Sequence, residues 1–432
     1  MAMALGIDLG TGGLRLALVD GAGEIAAQIS GPYPSPFPDP QGWRQGLIAL
    51  SAQLPKELMA HVAAVAIDGT SGTLLLCRPD GSLLAGALAE ALPYGQACPD
   101  HSAAPGGASS SAARALALLA KAEAAAARGP FLLRHQADWL MGWLLGDWRW
   151  GEAGNNLRLG WDLEQQRWIE AIASQAWASY LPEIRPSGTA LGSICPEAAR
   201  QLGLAREVVV VAGTTDGNAA ALAAEPGPND GVAILGTTTV LKQWADGPLI
   251  APGISNHQIG GRWLVGGAAN AGAGVLLQFF SPGQIEELSN QIDPRQSTGL
   301  KLRPQPGKGE RFPVDDPELE PVLGPRPISD AHFLQALLEG LTDLELRGWQ
   351  SLEALGAPRV ERVLSVGGGA RNRQWRQMRS LALGKPVLLK PQASAAAAMG
   401  RLALASWQRP SGGMESQCPP AQMSSTPQSP PH

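Results

Sequence analysis

Two aspartates stand where this sequence could do chemistry, each close to glycine and threonine at the end of an apolar run. Asp8 lies in the run Ala4–Leu9, just before Gly10-Thr11-Gly12-Gly13. Asp216 follows the β-branched run Val208–Val211 inside Gly213-Thr214-Thr215-Asp216-Gly217. Two more glycine-rich turns come later, Leu235-Gly236-Thr237 and Gly367-Gly368-Gly369. A Gly/Thr turn at a strand end suits phosphate, because glycine lets backbone N–H groups approach closely and threonine adds a hydroxyl donor. Gly10, Thr11, Gly12, Gly236 and Thr237 are candidates on that ground. At Gly368 and Gly369 a following helix N-terminus adds a preference for anions. Asp216 reads either as the N-cap of a helix starting at Asn218 or as a general base for a hydroxyl. In phosphoryl transfer a weak base suffices, since positioning and charge neutralisation carry most of the work. Asp8 would then hold Mg²⁺, directly or through water, with a contact to the phosphoryl acceptor. The turns are neither a P-loop, since no GxxxxGK[ST] occurs, nor a dinucleotide fingerprint, since Gly10 and Gly12 lack a third glycine and lead into a strand.

The elements that must position these residues follow from the apolar pattern. Ala4–Leu9, Leu14–Val19 and Glu24–Ile29 predict a β-meander, with five prolines between Gly31 and Pro40 as a connecting loop. Val62–Asp68 predicts a strand entering Gly69-Thr70-Ser71-Gly72. Pro93–Ser111 reads as a surface loop, and Gln136–Gly146, with Trp139, Leu140, Trp143 and Leu144 at helical spacing, as a core helix. Gly231–Trp244 predicts a second hairpin. Val363–Val366 leads through the triple glycine into a helix over 372–383, then the strand Val387–Lys390 and an alanine-rich helix to Ser406. Leu9-Gly10-Thr11 followed by Leu14 recurs as Leu235-Gly236-Thr237 followed by Val240, which predicts two domains of related design. Residues 409–432, rich in Pro, Ser, Gln and Gly, read as a disordered tail.

Composition excludes several classes. The 432 residues suit two domains, and a formal charge of −5 gives no basic face for nucleic acid. Cys77, Cys98, Cys195 and Cys418 form no CxxC, and the six histidines show no HxxxH, so neither a zinc site nor a disulfide framework is indicated. No run reaches the ~18–20 apolar residues of a membrane span, and no leader pattern precedes Asp8. A soluble cytoplasmic protein is the expectation.

In order and spacing, GIDLGTGGLRLALVD, AGTTDGNAAALAA, LGTTTVLK and SVGGGARNRQW resemble the FGGY family of carbohydrate kinases. The resemblance implies an α/β protein of the two-domain actin/hexokinase-like (ribonuclease H-like) fold with a cleft between lobes. The sugar-binding lobe would comprise 1–223 plus 393–408, and the nucleotide-binding lobe 224–392. It implies ATP-dependent phosphorylation of a sugar with Mg²⁺. Asp216 would be the base, Asp8 the acid of the first phosphate segment, and Thr11 a hydroxyl beside the transferring phosphate. Gly236 and Thr237 would serve the second phosphate segment, and Gly368, Gly369, Asn372 and Trp375 the adenosine. IDGTSGTLLLC resembles the plant and cyanobacterial subgroup acting on D-ribulose, with Ser71 and Asn156 as sugar contacts; D-xylulose is the neighbouring alternative. Where many members carry Asn-Asp-x-Arg, this chain has Tyr94-Gly95-Gln96-Ala97. An ATP-driven switch or uncoupled ATPase on the same scaffold is the alternative of another class.

Overall fold

The computed structural model describes residues 2–409; the expected tail falls, from residue 410 on, outside the described residues. β1 (Met3–Gly10), β2 (Gly13–Val19) and β3 (Ile25–Gly31) form an antiparallel meander, and β4 (Val62–Gly69) runs parallel to β1. With β5 (Ala190–Ser193) and β6 (Val209–Thr215) they make a six-stranded sheet ordered β5-β6-β4-β1-β2-β3. A second six-stranded sheet holds β7 (Asp230–Leu235), β8 (Thr239–Ala245), β9 (Ile254–Ile259), β10 (Arg262–Ala268), β11 (Arg362–Val366) and β12 (Val387–Leu389), ordered β9-β10-β8-β7-β11-β12. In each sheet the opening strand pairs antiparallel with its hairpin mate and parallel with a later strand. The two Leu-Gly-Thr turns therefore sit at equivalent corners of two related sheets.

The helices that cover these sheets are α1 (Pro40–Ser51), α3 (Gln136–Leu145), α4 (Asp216–Leu222), α5 (Asp330–Ala354), α6 (Arg373–Leu383) and α7 (Ala395–Trp407), while α2 (Ser111–Ala124) packs in a separate small core. The two-residue period of β1 sets the layering. Leu5, Ile7 and Leu9 enter a core with Trp43 of α1 and Trp139 and Leu140 of α3. On the opposite face Ala4, Ala17, Ala64 and Ala66 pack against the alanines of α4 and α7, and alternation puts Asp8 on this small-residue side.

Small residues are obligatory there, because α7 lies almost on the backbone of β1. A Cβ on Gly6 would stand 1.7 Å from the Ala396 carbonyl oxygen and 2.3 Å from the Gly400 nitrogen. In the second lobe, Arg379 of α6 donates to Glu345 of α5 (Nη2 to Oε1, 2.8 Å) and to Ser365 of β11 (2.9 Å), all fully buried. That pairing satisfies a charge which would otherwise be costly in the core.

Pro93–Ser111 is the irregular, largely exposed loop expected, pinned at four points. Cys98, Ala104, Ser110 and Ser111 are buried in a small core with Leu74, Leu76, Leu118 and Leu133, and Arg114 of α2 donates to the Pro93 carbonyl at 2.9 Å. No helix among the described residues is long and apolar enough to cross a membrane.

Gly6→Val is expected to push α7 off β1 and lower stability by at least ~1–3 kcal/mol, the usual cost of overpacking a core. Chemical denaturation of the two proteins measures it, and equal midpoints would contradict the contact described.

Candidate active site between the two lobes

The parallel register of β1 and β4 sets Ile7 beside Ile67 and Asp8 beside Asp68. On the other edge of β4, β6 brings Thr214 beside Asp68 and Thr215 beside Gly69. α4 then starts immediately. Its N-cap is Thr215, whose Oγ1 accepts the Asn218 N–H at 3.3 Å. Asp216 is therefore the first helical residue and not the cap, and the helix begins two residues before the expected Asn218. Freed from capping, the Asp216 carboxylate accepts its neighbour's N–H (Gly217, 2.8 Å) and faces the space between the lobes.

Electrostatics differ among the three acids. Asp8 is 5% exposed, and Arg15 Nη1 donates to its Oδ2 at 2.8 Å. Asp68 is wholly buried, and neither carboxyl oxygen makes a well-formed hydrogen bond among the described residues. Burial first, and the nearby Asp8 carboxylate second, hold its pKa well above the carboxylate range. Burial also raises Asp216 to about 6, against the opposing pull of the Gly217 and Ser71 N–H groups.

Two cavities meet at Asp216. One, of about 1200 Å³, is lined by Asp8, Gly10, Arg15, Gly367, Gly368 and Arg371. The other, of about 620 Å³, is lined by Ser71, Arg158, Asp162, Lys242, Ser255 and His257. Asp216, Ala220 and Ile234 belong to both.

The turns around the cavities are braced from behind. Tyr33 donates its hydroxyl to the Gly10 carbonyl at 2.8 Å, and Gln136 Oε1 accepts from Thr70 N–H (3.0 Å) and Oγ1 (2.7 Å) beside Ser71. Thr11 and Gly12 are exposed at the tip of the first hairpin. Gly236 and Thr237 form the second tip; its carbonyl oxygens at Gly236 and Thr237 accept Ala273 N–H (3.0 Å) and Gly274 N–H (3.3 Å). Gly367 has φ +91°, and a Cβ there would stand 2.6 Å from the Leu235 carbonyl oxygen, so only glycine fits where the third turn crosses the second.

Three of the candidate residues hold structure instead of facing a cavity. Asn156 is fully buried, its amide nitrogen donating to Asp138 Oδ2 (2.9 Å) and the Glu152 carbonyl (2.8 Å). Those bonds hold the amide nitrogen inside the lobe, and Asn156 lines neither cavity; its Oδ1 makes no hydrogen bond among the described residues. Trp375 is 1% exposed, and its indole N–H reaches Thr342 Oγ1 at 3.1 Å in the second core. It supports Gly369 from beneath, since a Cβ on Gly369 would meet its ring at 2.7 Å. Asn372 caps α6, accepting the Trp375 N–H at 3.0 Å, while its amide donates to Ser289 at 2.8 Å.

The sequence reading passed over Asp68, Arg15, Lys242 and His257. A signal for Asp68 was present, since Ile67-Asp68 before Gly69 repeats Ile7-Asp8 near Gly10. Among the described residues no group of three His, Cys, Asp or Glu forms a metal cage. The chemistry of the donors present still fits Mg²⁺, which is commonly held by one or two carboxylates together with phosphates. Asp8 leaves Oδ1 free of protein hydrogen bonds among the described residues, next to the two orphaned oxygens of Asp68.

Residues 231–409 match the C-terminal domain of the FGGY family of carbohydrate kinases. The chain is 30% identical over 261 residues to a xylulose kinase of Lactococcus lactis subsp. lactis (strain IL1403), covering 56% of this chain and 51% of the relative. It is 27% identical over 249 residues to a gluconokinase of Bacillus subtilis (strain 168), covering 51% and 46%. The chain thus spans about half the length of the curated relatives it matches. Among solved structures it resembles a xyloylose kinase from Brucella ovis (TM-score 0.78, 22% identity, 94% of this chain and 90% of that one). It also resembles a Plasmodium falciparum glycerol kinase with ADP (TM-score 0.75, 16% identity, 94% and 90%). The fold is the two-lobed actin/hexokinase-like one.

A carboxyl whose pKa rises on folding costs stability once pH exceeds its unfolded value, and the full cost is reached above its folded value. For Asp216 that window runs from about 4 to about 6. Asp216→Asn should therefore melt higher than the parent at pH 8 and lose that advantage by pH 4. Melting curves at pH 4, 6 and 8 check this; a constant difference would mean Asp216 ionises freely.

Proposed function

We propose that the chain, whose residues 231–409 match the C-terminal domain of the FGGY family of carbohydrate kinases, is an ATP-dependent sugar kinase acting on a ketopentose, foremost D-ribulose. The observation that carries this reading is the position of Asp216 on the shared wall of two cavities. A base there faces a phosphoryl donor on one side and a hydroxyl acceptor on the other. The larger cavity is bordered by the glycines Gly10, Gly367 and Gly368, suited to phosphate; the smaller has room for a pentose and sets a few polar groups, among them Ser71, Asp216 and Lys242, in a largely apolar wall. The choice of ketopentose is supported by the Ile67–Thr73 segment, with Ser71 on the wall of the smaller cavity.

Asp216 takes the proton of the sugar hydroxyl as that oxygen attacks the γ-phosphorus in line with the departing ADP. Its raised pKa makes it a stronger base than an exposed aspartate, yet it stays ionised at pH 7 and above. Gly10, Thr11, Gly12, Gly236 and Thr237 offer amide and hydroxyl donors to the phosphates, and Gly368 and Gly369 border the nucleoside end. Asp8, turned by Arg15, would hold Mg²⁺, which when bound supplies charge neutralisation to the phosphates. Closure of the lobes excludes water, the competing nucleophile.

The test is ADP release with Mg²⁺ and ATP against D-ribulose, L-ribulose, D-xylulose, glycerol and no acceptor. A large rate with one ketopentose is expected, abolished in Asp216→Ala while nucleotide binding persists. Equal slow rates in every tube would favour an uncoupled ATPase or conformational switch instead.

A further inference from the structure

The smaller cavity has a wall from the second lobe whose chemistry nothing above uses. In β8, Val240, Lys242 and Trp244 share one face, and across from them in β7 stand Ile234 and Val232. This face meets α4: Val232 and Trp244 pack with Ala221 and Ala224. Lys242 therefore sits within the apolar seam joining the second sheet to the helix that begins with Asp216, and it is only 5% exposed.

A lysine so placed needs partners for three donors, and it has one. Nζ donates to Ser255 Oγ of β9 at 2.8 Å, and Ser255 donates onward to the Gly266 carbonyl at 3.2 Å. Among the described residues no carboxylate lies within ion-pair reach of Lys242. Beside it on β9, His257 has a buried Nδ1 with no hydrogen-bond partner among the described residues. That nitrogen faces the first lobe, where a Cβ on Gly154 would stand 3.3 Å away. Lys242 and His257, each with a buried, under-satisfied nitrogen, thus line one cavity together with Asp216. Leaving such groups unmet costs free energy that a ligand oxygen would recover.

We infer that Lys242, held by Ser255, together with His257, binds the oxygen-bearing end of the acceptor sugar remote from the hydroxyl that Asp216 faces. The inference rests on the sugar-kinase reading and deepens it: the second lobe helps to recognise the sugar as well as the nucleotide, so sugar binding draws the two lobes together. The ligand chemistry is a carbonyl or hydroxyl oxygen on a short polyol chain. Burial pushes the Lys242 ammonium down to about 7, so near neutrality its nitrogen can either donate to a carbonyl or accept from a hydroxyl. The other ionisable groups bordering the cavity are Arg158, Asp162, Glu164, Asp216 and His257.

Steady-state kinetics of Lys242→Met, Lys242→Gln and Ser255→Ala, with the best sugar of the acceptor panel, test the inference. Lys242→Met should raise the KM for sugar about tenfold or more, the loss expected of a buried bond to a charged donor, and leave the KM for ATP within twofold. Lys242→Gln, which keeps a donor, should fall between it and the parent. Ser255→Ala should raise the sugar KM severalfold and serves if Lys242→Met fails to fold. An unchanged sugar KM in these variants, or an equal rise in both KM values, overturns the inference and leaves the kinase reading intact. A parent enzyme that phosphorylates none of the acceptors overturns the kinase reading, and this inference with it.

Discussion

Asp8 and Asp68 stand side by side because β1 and β4 run parallel in a register that pairs Ile7 with Ile67. Two carboxyls at the dry end of a sheet repel each other, and burial disfavours the charge on either. The structure resolves the conflict asymmetrically. Asp8 turns toward Arg15 and the cleft, whereas Asp68, wholly buried beside the Asp8 carboxylate, is held toward its neutral form. That arrangement leaves one anion at the cavity edge, flanked by a cation, where a phosphate-bound metal would be needed.

The same register requirement explains the crowding behind it. To keep β1 and β4 paired deep in the lobe, α7 is laid directly over Gly6, and alanine predominates on that face of the sheet. Large side chains go to the opposite face, around Trp43 and Trp139. The alanine-rich composition thus reflects a close helix-on-sheet contact as much as helix propensity. It also brings a helix from the far end of the sequence onto the first sheet, which ties the two lobes together through the chain itself.

Asp216 gains its character from the neighbouring threonine. Because Thr215 takes over the capping bond, Asp216 is released from the role an acid before a helix usually fills. It still feels the helix N-terminus and two N–H groups, which favour ionisation, but burial wins and its pKa rises. An acid that is both ionised at neutral pH and more basic than usual is suited to accept a hydroxyl proton.

Much was legible from residue pattern alone: the opening meander, the Trp139 helix, the paired Leu-Gly-Thr hairpins and the triple-glycine turn, all of which depend on local periodicity and turn chemistry. Asp8 and Asp216 also stood out locally, each near glycine at the end of an apolar run. Whether a polar residue faces a cavity or a neighbour could not be read that way. Asn156 and Trp375 sit in segments that looked functional, yet both are buried inside the lobes, with nitrogens donating to Asp138 and Thr342. Lys242 looked like one more lysine in a strand, and its meaning comes from Ser255, His257 and Asp216, brought to it from other strands and from the opposite lobe. Local sequence determined the elements and their turns, because hydrogen-bonding period and backbone freedom act over a few residues. Only the tertiary structure decided which polar groups were left without partners, because satisfaction and burial are set by residues distant in the chain.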